Sequence, residues 1–320
     1  MNTPLTFSWR RYLLYFAIPP LLLLIGIAVF IYGLHRAHLL APVPLTGSAS
    51  FDEKLEALRD RQHKPIDVLA CGSSMTLQNL NSRVVMEHLP AGMAYYNAGA
   101  MGIHIASIRK LVELLEPRFH PKAIIMVTGP MDYYRNFQVT LDPDFSDAAP
   151  FIDGEPYALA VFKHFDLFYY TKSAQAKRHP QHGLSYDAYG AMPLELGYPQ
   201  VDLAYFNRAP SIETEDFTEY EELRKLADYL AAKKVVLFVV QSPLRQTSAP
   251  EIQQRLQSHW QRINRALVPA GLELINLHTE LSTTDYDFSD YAHLSPTGTQ
   301  RFTQALMERI EGRLVEALKR

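Results

Sequence analysis

The chain has 320 residues and a formal net charge of −3, and 48% of its residues are hydrophobic. This composition excludes global disorder, and the length is enough for one large domain or two small ones. No block of like charges is present, which argues against a nucleic-acid-binding surface because such a surface needs a basic stripe. Cys71 is the only cysteine, so no disulfide can form within the chain.

The N-terminal segment from Tyr12 to Gly33 contains no charged residue. At about 1.5 Å per residue it is long enough to cross a bilayer core of about 30 Å. Pro19 and Pro20 interrupt the segment, and membrane helices tolerate proline better than soluble ones do. A cleaved signal peptide is the alternative. The apolar stretch is longer than a typical signal core and no clear cleavage site follows it, so a retained anchor is favoured.

Arginines lie on both sides of this segment, two before it (Arg10 and Arg11) and one after it (Arg36). The excess before the span predicts a cytoplasmic N-terminus and an extracytoplasmic body. The Pro- and Gly-containing stretch that follows is typical of a linker. The predicted organisation is a tail and anchor over 1–40, a linker over 41–50, and one domain over 51–320 with an insertion at about 133–215.

Beyond the linker, short apolar runs alternate with helical patterns. We predict strands over 66–71, 94–97, 123–127, 235–240 and 272–277. We predict helices over 51–61, 81–89, 103–115, 216–233, 251–267 and 296–318, with Pro117 beyond the end of the third. Strands that alternate with helices in this way predict a three-layer α/β/α sandwich around a five-stranded parallel sheet.

The predicted insertion at about 133–215 is too long for a plain connection between a strand and a helix. It is either a lid or substrate wall beyond the carboxyl ends of the strands, or a segment that packs on the domain and makes no contact with substrate. Its aromatic stripe from Phe162 to Tyr170 indicates hydrophobic packing rather than a platform for sugar binding. His179 and His182 lack the carboxylate or cysteine partners that would indicate a metal site.

Two distant segments carry residues suited to nucleophilic catalysis. Asp290 precedes His293 by three residues, and a carboxylate so close can fix the tautomer and orientation of the ring. The first strand ends at Ser73 and Ser74, in a tight turn before a helix, where a serine is exposed. Because functional sites of parallel sheets lie beyond the carboxyl ends of the strands, the two segments can meet there.

Two further turns contain glycines after predicted strands. Asn97-Ala98-Gly99-Ala100-Met101-Gly102 follows the second strand, and Gly129-Pro130-Met131-Asp132 follows the third. Backbone N–H groups in such turns can point at a developing oxyanion, since glycine allows a close approach. An exposed turn acid is the favoured interpretation of Asp132, with an acid near the site as the alternative.

In their order along the chain, these segments resemble the sequence blocks of SGNH (GDSL-like) hydrolases. The blocks are Gly72-Ser73-Ser74, Asn97 to Gly102, and Asp290-Tyr291-Ala292-His293. The resemblance implies that Ser74 is the nucleophile, His293 the base and Asp290 the group that orients it. It implies an oxyanion hole formed by the N–H groups of Ser74 and Gly102, and no metal or cofactor.

One position departs from the family pattern. Met131 stands where the family has an asparagine that donates to the oxyanion, and methionine has no donor. Loss of one such donor costs about 100- to 1000-fold in rate. Asn97 is a candidate replacement for this donor.

The anchor together with this domain resembles membrane-bound family members that modify cell-envelope polymers, such as the D-alanyl transfer protein of teichoic acid D-alanylation and the alginate O-acetylation proteins. This resemblance implies an acyl-serine enzyme on the periplasmic side of the bacterial inner membrane. It would act on an acylated envelope glycan or acyl donor, beside a membrane-bound O-acyltransferase. A free carboxylesterase or deacetylase, and a non-catalytic binding or assembly protein on the same scaffold, stay open.

Overall fold

The computed structural model describes residues 8–37, 39–134, 143–177, 186–208, 217–245 and 247–319. The strands are β1 (Val68–Ala70), β2 (Tyr95–Asn97), β3 (Ala123–Thr128), β4 (Val236–Gln241) and β5 (Leu274–Asn276). The helices are α1 (Trp9–Tyr12), α2 (Ile18–Arg36), α3 (Ala49–Asp60), α4 (Ser74–Asn79), α5 (Ser82–His88), α6 (Ile105–Phe119), α7 (Ala148–Ile152), α8 (Tyr157–Lys163), α9 (Leu167–Lys177), α10 (Leu203–Phe206), α11 (Phe217–Lys233), α12 (Pro250–Leu267), α13 (Leu277–Glu280) and α14 (Pro296–Lys319).

The chain divides into two compact units, which are residues 1–59 with 147–183, and residues 60–146 with 184–320. The second unit contains the sheet, whose strand order is β2-β1-β3-β4-β5 with every pair parallel. Strand β3 is buried at all six positions, as expected for a parallel strand covered on both faces. The prediction of a five-stranded parallel sheet with helices is therefore confirmed.

The helices of the second unit pack in two groups, α6 with α11 and α12, and α14 with α4 and α5. Phe238, Val240, Phe302, Leu306 and Ile310 belong to one core cluster in which side chains of β4 meet those of α14. Strand β2 lies on one side of β1 in the sheet, and the next strand along the chain, β3, lies on the other side of β1. Strand order therefore reverses between β1 and β3, which is where open parallel sheets bind their ligands.

Two local features differ from the predicted elements. Helix α6 continues through Pro117 to Phe119 and ends at His120, whose φ is 48°. Proline removes only one N–H from the last turn, so it does not stop the helix there. Helix α4 was not predicted, because six residues are too few to show a helical period.

The first unit contains the apolar N-terminal segment. Trp9–His35 forms a helix, with a π-helical turn at Leu13–Ala17, that is long and apolar enough to cross a membrane. By length and composition this helix fits a membrane span or a signal sequence. Helix α8 packs against α2 within the same unit.

The predicted insertion contributes to both units. Residues 147–183 belong with the N-terminal helices, whereas residues 184–215 belong with the sheet. In the aromatic stripe Tyr170 is buried, but Phe162, Phe165 and Phe168 are exposed. The prediction of hydrophobic packing is therefore wrong for these three phenylalanines, because α8 and α9 turn Tyr157 and Tyr170 inward instead. The predicted domain boundaries stay a prediction.

Candidate active site

The turn after β1 presents Ser74 at the start of α4. Gly72 is required in this turn because a Cβ there would lie 2.0 Å from Thr76 Oγ1. Ser73 is the N-cap of α4, and its Oγ accepts a hydrogen bond from the Met75 N–H at 3.2 Å. Ser73 is buried in this structural role, whereas Ser74 is half-buried and lines a cavity.

Helix α4 is fixed to its surroundings by two buried polar side chains. Thr76 Oγ1 donates to the Val127 carbonyl at 2.8 Å and accepts from the Val127 N–H at 3.0 Å. Asn79 donates from Nδ2 to the Ala292 carbonyl at 3.3 Å and accepts from the Leu294 N–H at 2.9 Å. These bonds hold the helix of Ser74 against β3 on one side and against the loop of residue 293 on the other.

Ser74, His293 and Asp290 form one chain of hydrogen bonds. His293 Nε2 lies 2.9 Å from Ser74 Oγ, and His293 Nδ1 lies 2.7 Å from Asp290 Oδ2. A carboxylate accepts only, so Nδ1 carries the proton and Nε2 is left to accept from the serine hydroxyl. This is the geometry that an activated serine nucleophile requires.

The loop itself fixes the position of the Asp290 carboxylate. Asp290 Oδ1 accepts from the N–H groups of Ala292 at 2.8 Å and His293 at 2.7 Å. Burial opposes ionisation of this carboxyl, but the hydrogen bonds from the His293 side chain and from these backbone groups outweigh it and lower the pKa of Asp290. The carboxylate is therefore ionised at neutral pH, where it stabilises an imidazolium.

The second-strand turn brings Gly102 to the same cavity. Gly102 has φ +69°, a left-handed conformation that favours glycine. Among the described residues, neither its N–H nor that of Ser74 donates to a backbone carbonyl. Both groups can therefore serve a developing oxyanion.

Asn97 has a different role from the one its sequence position suggested. It is fully buried, its Nδ2 donates to the Thr76 carbonyl and its Oδ1 accepts from the Gly99 N–H, each at 2.9 Å. It does not line the cavity of Ser74. Its amide is committed to holding the turn that carries Gly102, so the expectation that Asn97 replaces the missing oxyanion donor is corrected.

The third-strand turn places Met131 and Asp132 at the cavity. Asp132 is only 5% exposed, so its interpretation as an exposed turn acid is wrong. Its carboxylate accepts from the Gly129 N–H at 3.0 Å and from the Ser73 hydroxyl. Burial raises the pKa of Asp132 to about 6. Asp132 thus connects the third-strand turn to the residue that precedes Ser74.

The cavity around Ser74 has a volume of ≈ 490 Å³. Methionines form much of its apolar wall, and the predicted triad lies at one side of it. Sequence reasoning had assigned no role there to Gln78, Leu194, Tyr205 or Tyr291. Gln78 could have been found from its position, since it lies four residues after Ser74 on the same face of α4. Tyr291 could also have been found, since it lies between Asp290 and His293, whereas Leu194 and Tyr205 come from distant segments and leave no local signal.

A buried hydrogen-bonded cluster of His104, Ser107 and Glu219 next to the glycine turn was also not predicted from the sequence. Glu219 on α11 accepts from the Ala106 N–H at 2.8 Å and lies 3.1 Å from His104 Nδ1. His104 Nε2 lies 3.3 Å from Ser107 Oγ, and all of these groups are at most 5% exposed. The cluster has the connectivity of a triad without access to solvent. Because His104 follows Gly102 by two residues, its effect is to fix the loop that carries Gly102.

No group of three or more His, Cys, Asp or Glu side chains in the described ranges could hold a metal ion. His179 and His182 lie outside the described residues. Cys71 is fully buried at the end of β1, which suits a core residue.

No protein-family model and no curated protein matches this chain. Solved structures do resemble it.

Three of these structures illustrate the level of similarity. A lipase/acylhydrolase from Enterococcus faecalis is 12% identical, with a TM-score of 0.41 over 78% of this chain and 96% of that one. A protein named as a GDSL-like lipase from Parabacteroides merdae is 15% identical, with a TM-score of 0.41 over 78% and 98%. A carbohydrate acetylesterase family member from Sinorhizobium meliloti is 13% identical, with a TM-score of 0.34 over 77% and 98%. Similarity at this level does not establish an activity for this chain.

Proposed function

We propose that the protein is a serine enzyme that transfers acyl groups through an acyl-serine on Ser74. The observation that carries this proposal is the continuous hydrogen-bonded chain from Ser74 through His293 to Asp290, on the wall of a cavity. Ser74 and Gly102, whose backbone N–H groups are the proposed oxyanion donors, line the same cavity. Together these residues supply a nucleophile, a base, an orienting carboxylate and two candidate oxyanion donors, which are the kinds of group that acyl transfer uses.

The reaction proceeds in two halves. His293 Nε2 takes the proton of Ser74 as its Oγ attacks the ester carbonyl carbon, and the carbonyl electrons move to the oxygen held by the N–H groups of Ser74 and Gly102. The intermediate collapses, and the leaving alkoxide takes the proton from His293. An acceptor hydroxyl then gives its proton to His293 and attacks the acyl-serine, which releases the new ester and returns the proton to Ser74.

The proposed substrate class is an O-acylated cell-envelope polysaccharide, or an acyl donor for one. Support comes from the resemblance of the sequence blocks and from the apolar helix Trp9–His35, which we propose is a retained anchor in the bacterial inner membrane with a periplasmic domain. A membrane-bound O-acyltransferase is the proposed partner that supplies the acyl group. If water is the acceptor instead, the same residues make a free carboxylesterase or deacetylase.

The test is labelling by a fluorophosphonate probe, with the purified full-length protein in detergent. We expect labelling at Ser74, loss of labelling in Ser74→Ala and His293→Ala, and retention in the matched neighbour variant Ser73→Ala. Absence of labelling in folded protein, beside an active serine esterase as control, would refute the proposal. It would favour a non-catalytic binding protein, the alternative that Met131 supports by supplying no oxyanion donor.

A further inference from the structure

Helices α8 and α9 of the first unit expose a cluster of large apolar side chains. Single exposed apolar residues are normal in proteins, but a contiguous group marks an interaction surface. Within a stretch of ten residues, five such side chains are exposed: Leu159 by 42%, Phe162 by 82%, Phe165 by 49%, Leu167 by 65% and Phe168 by 75%. We refer to these five residues as the outer face.

The outer face spans α8, α9 and the residues between them, and it reverses the usual pattern of a soluble helix. In α8 Phe162 is exposed whereas Ala160 and Val161 are buried. In α9 Phe168 is exposed whereas Tyr170 is buried. Both helices therefore turn a phenylalanine outward, although exposure of an apolar ring to water is unfavourable.

The inner side of these helices packs on the end of the apolar helix. The Tyr157 ring lies 5.7 Å from the Tyr32 ring and 5.5 Å from the His35 ring. Tyr170 places its hydroxyl 3.1 Å from His35 Nε2. An anchor that spans a core of about 30 Å would leave the bilayer close to these residues. The outer face is thus held beside the point where the anchor meets the membrane surface.

The charges beside the outer face are compatible with a position at the headgroups. Asp166, between the helices, accepts from the N–H groups of Phe168 and Tyr169, so it is used to cap α9. Lys163 pairs with Glu155. Lys172 lies one helical turn after Phe168 and is exposed, and a lysine there can reach headgroups while the phenylalanine is in lipid.

We propose that the outer face inserts into the lipid bilayer beside the anchor, so that α8 and α9 lie in the membrane interface. This rests on the proposed membrane anchor and goes beyond it, since it assigns a second lipid contact outside the span. Amphipathic helices of this type bury their apolar side about 5–10 Å below the headgroups. The contact would limit how the first unit tilts on the membrane.

The experiment uses nitroxide labels on the full-length protein in lipid nanodiscs. Phe162→Cys and Phe168→Cys report on the outer face. Leu23→Cys on α2 is the reference for a label deep in the bilayer, and Gln257→Cys on the polar outer side of α12 is the reference for a label in water. Cys71 is buried, so labelled parent protein supplies the background. Collision rates with oxygen and with a water-soluble nickel chelate give the depth of each label. We expect residues 162 and 168 to favour oxygen, at depths between those of the two references.

The outcomes separate this inference from the anchor. If label 23 lies in lipid but labels 162 and 168 collide with nickel as label 257 does, the outer face is in water and the inference is wrong. If label 23 is also aqueous, the anchor and the inference fail together, while fluorophosphonate labelling of Ser74 is unaffected. If both outer labels are shielded from both reagents in native membranes yet aqueous in nanodiscs, a protein partner covers the face and the lipid assignment is wrong.

Discussion

Replacement of Asp290 by asparagine tests the proposed chemistry most directly. The side-chain oxygen of the new asparagine can take the place of Asp290 Oδ1 and accept from the N–H groups of Ala292 and His293, which lie at 2.8 and 2.7 Å in the parent. The –NH₂ group of the asparagine then faces His293 Nδ1, where Oδ2 lies at 2.7 Å in the parent. The reverse orientation would point –NH₂ at two N–H donors, so the first orientation is favoured.

The expected magnitude follows from the tautomer of His293. An –NH₂ partner makes Nδ1 the acceptor and moves the ring proton to Nε2, which then donates to Ser74 and cannot take its proton. The same substitution in Ser-His-Asp proteases lowers kcat by about 10⁴-fold. We expect a loss of that order in kcat/KM, which corresponds to about 5.4 kcal/mol of transition-state stabilisation. Thermal stability should change little at neutral pH, because the backbone hydrogen bonds are retained.

The assay is hydrolysis of an aryl acetate by purified full-length protein, with the thermal midpoint measured in parallel. Asp285→Asn is the matched control, because Asp285 is paired with Arg245 and does not line the cavity. It should retain parental kcat/KM. A folded Asp290→Asn protein that keeps more than about a tenth of the parental kcat/KM would refute the assigned role, since the tautomer argument requires a far larger loss.

Four other changes extend the test. Gly102→Ala places a Cβ on a residue with φ +69°, which costs about 1–2 kcal/mol of backbone strain. A shift of the loop would relieve this strain and move the proposed oxyanion donor, so kcat for the aryl ester should fall by about 10- to 100-fold with KM nearly unchanged. Met131→Asn should restore a donor and raise kcat, and an unchanged or lower kcat would show that this side chain does not reach the oxyanion. Gln78→Leu should lower kcat by about tenfold or more if its amide supplies the third donor, and parental kcat would exclude that role.

The Asp132→Asn variant tests the pH dependence of stability, which is measured by thermal melts between pH 4 and 8. Because burial raises the pKa of folded Asp132 to about 6, its contribution to stability is fully present below its unfolded pKa and is lost as the pH rises through 6. The asparagine variant should therefore gain about 2 to 3 kcal/mol in unfolding free energy relative to the parent as the pH rises from 4 to 8, and a constant difference would contradict the buried carboxyl.

Sequence reasoning located the sheet because each strand is an apolar run between turn residues. It located Asp290 and His293 because they are neighbours in sequence, and Ser74 through the resemblance to the family blocks. It could not find Asn79 or Glu219. Each holds a segment far away along the chain, and a single polar residue in a helix has no distinctive pattern. Asp132 was misassigned for the same reason: its hydrogen-bond partner Ser73 is far away along the chain and reaches it only after β1 and β3 pair.

The aromatic stripe was misassigned for a different physical reason. Sequence shows that phenylalanines recur at helical spacing but not which side of the helix meets the core. In α8 and α9 the inner side is taken by tyrosines whose hydroxyls have partners: Tyr157 donates to Glu56 Oε1 at 2.5 Å, and the Tyr170 hydroxyl lies 3.1 Å from His35 Nε2. A phenylalanine has no hydroxyl to pair on the inner side, and Phe162 and Phe168 lie on the outside.

The methionine at position 131 bears on rate rather than on the choice of acceptor. An oxyanion donor stabilises the tetrahedral intermediates of acylation and deacylation alike, whether water or a sugar hydroxyl attacks. A missing donor therefore slows both routes by a similar factor and leaves their ratio unchanged. That ratio depends instead on which acceptor can reach the acyl-serine.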